Sequence, residues 1–193
     1  MIERQNISIY TVGHSTRSIE EFIEILKTYN ITLLIDIRAV PRSRHNPQFN
    51  KETLLNTLKL YNIKYLSLPN IGGMRHPKKD SINLALETRS FRGYADFMQT
   101  KEFTENLLKL IILAKENYSA LMCAETLPWR CHRNLISDAL VVRHVQVLHI
   151  ISKTSVLTHQ LNELAHVDGT KISYPLFSPK ENPQRTLGTF GTV

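Results

Sequence analysis

Cysteine is scarce in this chain: only two of 193 residues. That is too few for a disulfide framework, and a reducing cytoplasm is the expected setting. No apolar run approaches the ~20 residues needed to cross a bilayer. The opening MIERQNISIYTVG carries an acid at Glu3 and no apolar signal core, so neither membrane insertion nor secretion is expected. Internal repeats, low-complexity blocks and linkers are missing before residue 168. So are the Gly-rich dinucleotide turn and the Gly-Lys-Ser/Thr phosphate loop, which removes the commonest nucleotide-binding devices. What is present is an ordinary globular composition, 42% hydrophobic and 21% charged, with a net charge of +7. A basic excess favours an anionic partner such as a phosphate, a nucleotide or a nucleic acid.

The pattern along the chain alternates strand and helix signals. ISIYTVG (7–13), ITLLIDIRAV (31–40), IKYLSLPN (63–70), SALMCAE (119–125) and VQVLHII (145–151) read as strands. Between them lie amphipathic helices, the first opened by a Ser18-x-x-Glu21 capping box. A short helical piece is expected around 81–87, a helix from Pro128 to about 143, and a closing helix over 155–167. Strands apolar on both faces and separated by helices predict a parallel sheet covered on both sides. The expected fold is therefore α/β: a three-layer α/β/α domain, Rossmann-like, with a mostly parallel sheet of about five strands. A partial barrel is the alternative, disfavoured because five strands are too few for the usual barrel of eight. Residues 1–167 are expected to form one domain and 168–193 an extended tail.

In such folds ligands bind beyond the carboxyl ends of the strands. Those ends release His14 and Ser15 after the first strand, and Asp36, Arg38, Arg42, Ser43 and Arg44 around the second. Gly72 and Gly73 follow the third, Cys123 and Glu125 the fourth, and the fifth ends at His149. Arginines gather in the same segments, with Arg92, Arg130 and Arg133 adding to Arg38 and Arg44, whereas acids fill helix surfaces. A helix opening at Pro128 would aim its free N–H groups at this rim, an anion site in its own right. Tyr94, beside Arg92 at another helix mouth, pairs an aromatic ring with a guanidinium, a combination suited to stacking on a base or sugar. Glu125, released among arginines, either holds them or acts as acid or base. Cys131 and His132 lie on helix rows that face the sheet, so burial competes with function there. A divalent metal has candidate ligands in Cys123, Cys131 and His132, but Cys-x7-Cys-His is not a common zinc spacing; the spacing therefore supports no metal, and the cofactor is unknown.

The segments YTVGHSTRSIEEF, LLIDIRAVPRSRHNPQFN, YLSLPNIGG, FRGYADFMQT, ALMCAETLPWRCHR and VLHI resemble, in order and spacing, the domain of unknown function (DUF) 488 family over about residues 8 to 177. GGMRHP departs from that family's Gly-Gly-Arg run. The resemblance implies an α/β domain of bacterial and archaeal cytoplasmic proteins without an established activity. Its motif positions fall on Gly13, His14, Ser15, Asp36, Arg38, Pro41, Ser43 and Phe49, then on Gly72, Gly73, Arg92, Gly93 and Tyr94. The remainder are Cys123, Glu125, Cys131, His132, Arg133 and His149.

The leading functional expectation is an enzyme, a hydrolase or group transferase, acting on a phosphate-bearing substrate such as a nucleotide or nucleic acid. Arg38, Arg92, Arg130 and Arg133 would hold the anion, with Glu125 and Asp36 as acid–base candidates and His14 or His132 assisting. A second expectation is thiol chemistry at Cys123. Its strand-to-helix loop ending in Arg130 resembles the layout of sulfurtransferases and cysteine phosphatases, although the Cys-x6-Arg spacing and the absence of loop glycines depart from both. A third is a non-catalytic nucleic-acid-binding module. No membrane partner is expected, and the sequence is compatible with a homo-oligomer.

Overall fold

The computed structural model describes residues 7–176; the rest of the expected tail, 177–193, lies outside them. Among the described residues, eight strands and five α-helices follow one another as β1 (Ser8–Gly13), α1 (Ile19–Thr28), β2 (Leu33–Asp36), α2 (Lys51–Leu60), β3 (Lys64–Ser67), α3 (Arg89–Met98), α4 (Lys101–Glu116), β4 (Ser119–Cys123), α5 (Arg133–Val141), β5 (Gln146–Ser152), β6 (Ser155–Thr158), β7 (His166–Asp168) and β8 (Lys171–Ser173). The main sheet is open, in the order β3-β2-β4-β1-β5-β6, with its first five strands parallel and β6 antiparallel to β5. Strands β7 and β8 form a separate antiparallel pair.

Alternation along the strands builds two cores. Leu33, Ile35, Leu121, Ile9 and Val147 face α3, α4 and α5, where Tyr94, Phe103, Leu107, Leu135 and Ile136 pack on them. Leu34, Val12, Ala120, Met122 and Ile150 face α1 and α2 through Phe22, Leu26, Leu54 and Leu58. The fold is thus three-layered, as the pattern predicts. The expected capping box contributes one of its two bonds: Ser18 Oγ accepts from the Glu21 amide at 3.1 Å.

Three local expectations differ. Residues 155–167 are not helical. Ser155–Thr158 pairs with β5, because the β-branched SVLT stretch and the otherwise open β5 edge favour strand pairing over an isolated helix. Residues 81–87 form turns. There Asn83 is buried, giving Nδ2–H to Asp96 and accepting from the Tyr174 amide at 2.8 Å, bonds that a regular helix would not present. Finally, Pro128 opens only a single 3-10 turn, Pro128–Arg130. Cys131 behind it is extended (φ −129°, ψ 148°), and α5 starts at Arg133. The anion-binding helix start expected at Pro128 is therefore not formed.

Strand order decides where a site can lie. Strand β4 is inserted between β2 and β1, and the helix after β1 packs on the opposite face from the helix after β4. Adjacent strands whose connections part to opposite faces leave a crevice beyond their carboxyl ends. No helix among the described residues is long and apolar enough to cross a membrane.

Candidate active site

A cleft of about 600 Å³ opens at that crevice, within the usual size range of small-molecule sites. The ladder between β1 and β4 continues past the strands and shapes its floor. His14 N–H donates to the Cys123 carbonyl at 3.0 Å and Ser15 N–H to that of Ala124 at 2.9 Å. Gly13 is needed there because a Cβ would lie 2.0 Å from the Glu125 carbonyl oxygen. Ser15 itself is left-handed (φ 48°), an uncommon conformation for a non-glycine residue that turns the chain off the strand end.

Of the residues singled out from sequence, His14, Ser15, Arg38, Ser43, Gly73, Cys123, Glu125, Arg130 and His132 line this cleft. Cys131 lines it too, as do Arg42, Asn46, Met74 and Phe91. Arg42 is one of the rim arginines that the sequence places after the second strand, whereas Asn46, Met74 and Phe91 carry no sequence signal as site residues, although Phe91 lies beside Arg92.

Several expected residues stand elsewhere. Asp36 is fully buried beneath the floor. Its carboxylate accepts from Arg38 Nε at 2.9 Å, from the Arg38 amide at 3.1 Å and from Tyr65 OH at 2.7 Å, and forms an ion pair with Arg38 Nη2 at 2.5 Å. Arg38 Nη2 also reaches the Phe49 carbonyl, and its Nη1 donates to His14 Nε2 at 3.2 Å. Arg44 is exposed away from the cleft lining, and Gly72 packs on Ala39. Arg92 donates to the Leu86 carbonyl, while Tyr94 is buried with its OH on the Ile71 carbonyl. Arg133, 1% exposed, spends its guanidinium on the Glu125 and Thr126 carbonyls, Thr11 Oγ1 and Cys131 Sγ. His149 sits below the rim, since β5 runs on to Ser152.

His149 belongs to a buried hydrogen-bonded chain that leads toward the site. Arg133 Nη1 donates to Thr11 Oγ1 at 3.3 Å, and Thr11 Oγ1 meets His149 Nδ1 at 2.7 Å. His149 Nε2 meets His159 Nδ1 at 2.9 Å, and His159 Nε2 meets Asp138 Oδ1 at 2.9 Å. With both imidazoles neutral and protonated on Nε2, every link has one donor and one acceptor. Burial holds His149 at about 3, the adjacent His159 and Arg133 adding to the same direction. His14 is lowered to about 4, first by burial and then by Arg38, against the raising effect of its bond to the Ser15 carbonyl. Both folded values lie below the ordinary 6.5, so the unfolded chain binds more protons as pH falls. The stability these neutral rings carry is complete above about pH 6.5 and is lost as pH drops toward 4 and 3. Urea unfolding should therefore give a flat stability between pH 8 and 7 and a loss on the order of 3 kcal/mol or more by pH 4.5. A His149→Gln variant should flatten that fall, and a wild-type profile level down to pH 4.5 would refute the assignment.

The two thiols differ. Cys131 Sγ is met by the Arg133 amide, Arg133 Nε and His132 Nδ1, each at 3.5 Å. Cys123 Sγ stands in the same cluster, within 4.8 Å. These partners hold the Cys131 thiol well below its ordinary range, the Cys123 contact first, while the same contact and burial push Cys123 up. Cys131 is thus the thiol held toward its thiolate form, and Cys123, singled out from sequence, lines the same cleft. His132 rests against Tyr94 (ring centroids 5.2 Å apart), and its Nε2 is the buried side-chain N/O atom without a hydrogen-bond partner among the described residues.

The family model for "Domain of unknown function DUF488" matches residues 18–140, well over half of the chain. The protein belongs to this family. The matched span of the DUF488 domain contains Arg38, Cys123, Glu125, Cys131 and His132; His14, Ser15 and His149 fall outside it. Searches of curated proteins and of solved structures gave no match. What this DUF488 chain offers chemically is a carboxylate, Glu125, two exposed guanidinium groups, Arg42 and Arg130, and a thiol–imidazole cluster, all on one cleft.

Proposed function

We propose that the protein is an enzyme, a hydrolase or group transferase, that binds a phosphate-bearing substrate of nucleotide size in this cleft. The observation that carries the reading is that Glu125, Arg42 and Arg130 line one cavity at the point where the β1 and β4 connections part. Arg42 and Arg130 are exposed and make no ion pair among the described residues. They are the guanidinium groups free to take a phosphate in a bidentate manner. Arg38 and Arg133, expected in that role, are committed to the protein. Glu125 is the exposed carboxylate of the lining and serves as general acid or base. Met74 and Val40, 76% and 58% exposed on the same lining, give apolar surface suited to a base or another ring.

Steady-state kinetics over a panel of nucleotides and phosphate mono- and diesters tests the anion-binding half. Arg42→Ala and Arg130→Ala should each raise KM about tenfold, the loss of one charge-assisted contact, and leave kcat within about threefold. A KM unchanged when both charges are removed contradicts the assignment.

A second reading, sulfur transfer, is favoured by the two N–H groups of Arg133 and the His132 imidazole nitrogen around Cys131 Sγ. There the Cys131 thiolate attacks the sulfane sulfur of a thiosulfate-like donor, the S–S bond breaks, and sulfite leaves with the bonding pair. Intact-mass measurement after incubation with thiosulfate decides it: one added sulfur, lost in Cys131→Ser, supports transfer, and an unchanged mass rejects it. A non-catalytic nucleic-acid-binding module would instead show steeply salt-dependent affinity for oligonucleotides, no turnover, and indifference to Glu125→Gln.

A further inference from the structure

Cys123, Cys131 and His132 form a cluster that the hydrolytic reading leaves without a task. One ligand atom from each, two Sγ and an imidazole nitrogen, lie within 4.8 Å of one another. His132 Nδ1 is 3.5 Å from Cys131 Sγ and 4.0 Å from Cys123 Sγ. Around a tetrahedral zinc, with bonds of about 2.3 Å to sulfur and about 2.0 Å to nitrogen, ligand atoms sit roughly 3.5–3.8 Å apart. The side chains therefore stand near coordinating positions already.

The local backbone explains how so uncommon a spacing converges. Strand β4 delivers Cys123 at its end, the 3-10 turn at Pro128–Arg130 reverses the chain, and Cys131 is extended while His132 is already α-helical (φ −56°, ψ −17°). That change of conformation between neighbours brings both side chains to one point. Opposite them, a Cβ on Gly73 would lie 2.5 Å from His132 Nδ1, so this flank stays clear only with glycine. On the imidazole's far side Nε2 has no partner, and the two sulfurs are what Nδ1 faces. Two N–H groups of Arg133 on Cys131 Sγ are the kind of outer contact that offsets the charge of a metal-bound thiolate. Two sulfurs and one imidazole suit zinc better than magnesium or calcium, which take oxygen.

We propose that Cys123, Cys131 and His132 bind one zinc ion, with the fourth coordination position open to the cleft that Glu125 also lines. Three protein ligands and one open position are the pattern of catalytic rather than structural zinc. The role of that open position rests on the hydrolytic reading: water held there becomes acidic, its proton passes to the Glu125 carboxylate, and its oxygen forms the bond to phosphorus as the P–O bond to the leaving group breaks. The proton then returns from Glu125 to the departing oxygen. The zinc site itself does not depend on that reading.

The test is metal binding by the full chain, kept reduced and purified without chelator. Elemental analysis should find one zinc per chain, and cobalt loaded into the stripped protein should show a thiolate-to-cobalt charge-transfer band with tetrahedral d–d absorption. Cys123→Ala and His132→Asn should each weaken metal affinity at least about a hundredfold and abolish the band, with far-UV circular dichroism unchanged. His144→Ala, on an exposed histidine, should leave both intact. Should His132→Asn fail to fold, the half-buried Cys123 decides alone. A reduced wild type that takes up neither metal, or a Cys123→Ala variant that keeps full affinity, overturns the proposal. A metal-free protein with Glu125-dependent turnover would overturn only the zinc site. A zinc-loaded protein that turns over no phosphate substrate would overturn only the hydrolytic reading.

Discussion

Asp36→Ala is expected to destabilise the protein by about 3–5 kcal/mol, the usual cost of removing one partner of a buried ion pair. Asp36 has no exposed surface and Arg38 is 6% exposed. Deleting the carboxylate removes the acceptor for two side-chain nitrogens of Arg38, for its amide and for Tyr65 OH. The guanidinium would keep only the Phe49 carbonyl and His14 Nε2, neither of which balances its charge. Urea denaturation at pH 7.5 should show a lower midpoint with an unchanged slope. The paired replacement Asp36→Leu with Arg38→Met should recover most of the loss, because the penalty is the unmatched charge rather than the missing attraction. A single variant within about 1 kcal/mol of wild type would show that Asp36 is not the counterion of Arg38. It would also return Arg38 to the pool of groups free for substrate.

Arg133→Met should be nearly as damaging and should damage function as well. The side chain is 1% exposed and has no carboxylate partner among the described ion pairs. It ties the backbone of Glu125 and Thr126 to α5 and links Thr11 to Cys131. Methionine fills much of the same volume and supplies no donor, leaving buried acceptors unmet at about 1–3 kcal/mol each. A total loss of about 2–4 kcal/mol is expected, since part of it is relieved where the loop relaxes to water. Arg133→Lys should restore less than half, because one ammonium cannot span four acceptors. Where the variant remains folded, kcat should fall with it, since the Glu125 segment has lost its tether. Denaturation midpoints and kinetics on the same preparations test both. Wild-type stability in Arg133→Met would mean that the Glu125 loop is held some other way.

These two arginines also show where sequence reading stops. Alternation of apolar strands and amphipathic helices was enough to predict three layers and a polar rim at the carboxyl ends, because both follow from local periodicity. Which rim arginines are free does not. Arg38 is neutralised two residues away at Asp36, a pairing the alternating strand pattern makes visible. Arg133 is consumed by the Glu125 and Thr126 carbonyls, Cys131 and Thr11, the last 122 positions distant, contacts that no periodicity of the sequence reports. Had the helix begun at Pro128, Cys131 and His132 would have pointed along neighbouring rows of one helix. The break after the 3-10 turn instead sets them together against Cys123. The error at 155–167 has the same origin, since SVLT takes its conformation from the exposed edge of β5 rather than from its own periodicity. His149 lies inside β5, three residues before its end at Ser152, and so below the rim.

On the proposed function, the cleft catalyses a reaction in which Glu125 moves a proton. Its most direct test is turnover of phosphate-bearing substrates by wild type and Glu125→Gln, with substrate binding measured in parallel by calorimetry. The exchange keeps size and removes the proton-transfer group. The expected result is measurable wild-type turnover, a fall of about 100-fold or more in kcat for the variant, and dissociation constants equal within about threefold. Equal turnover by both proteins would contradict the claim.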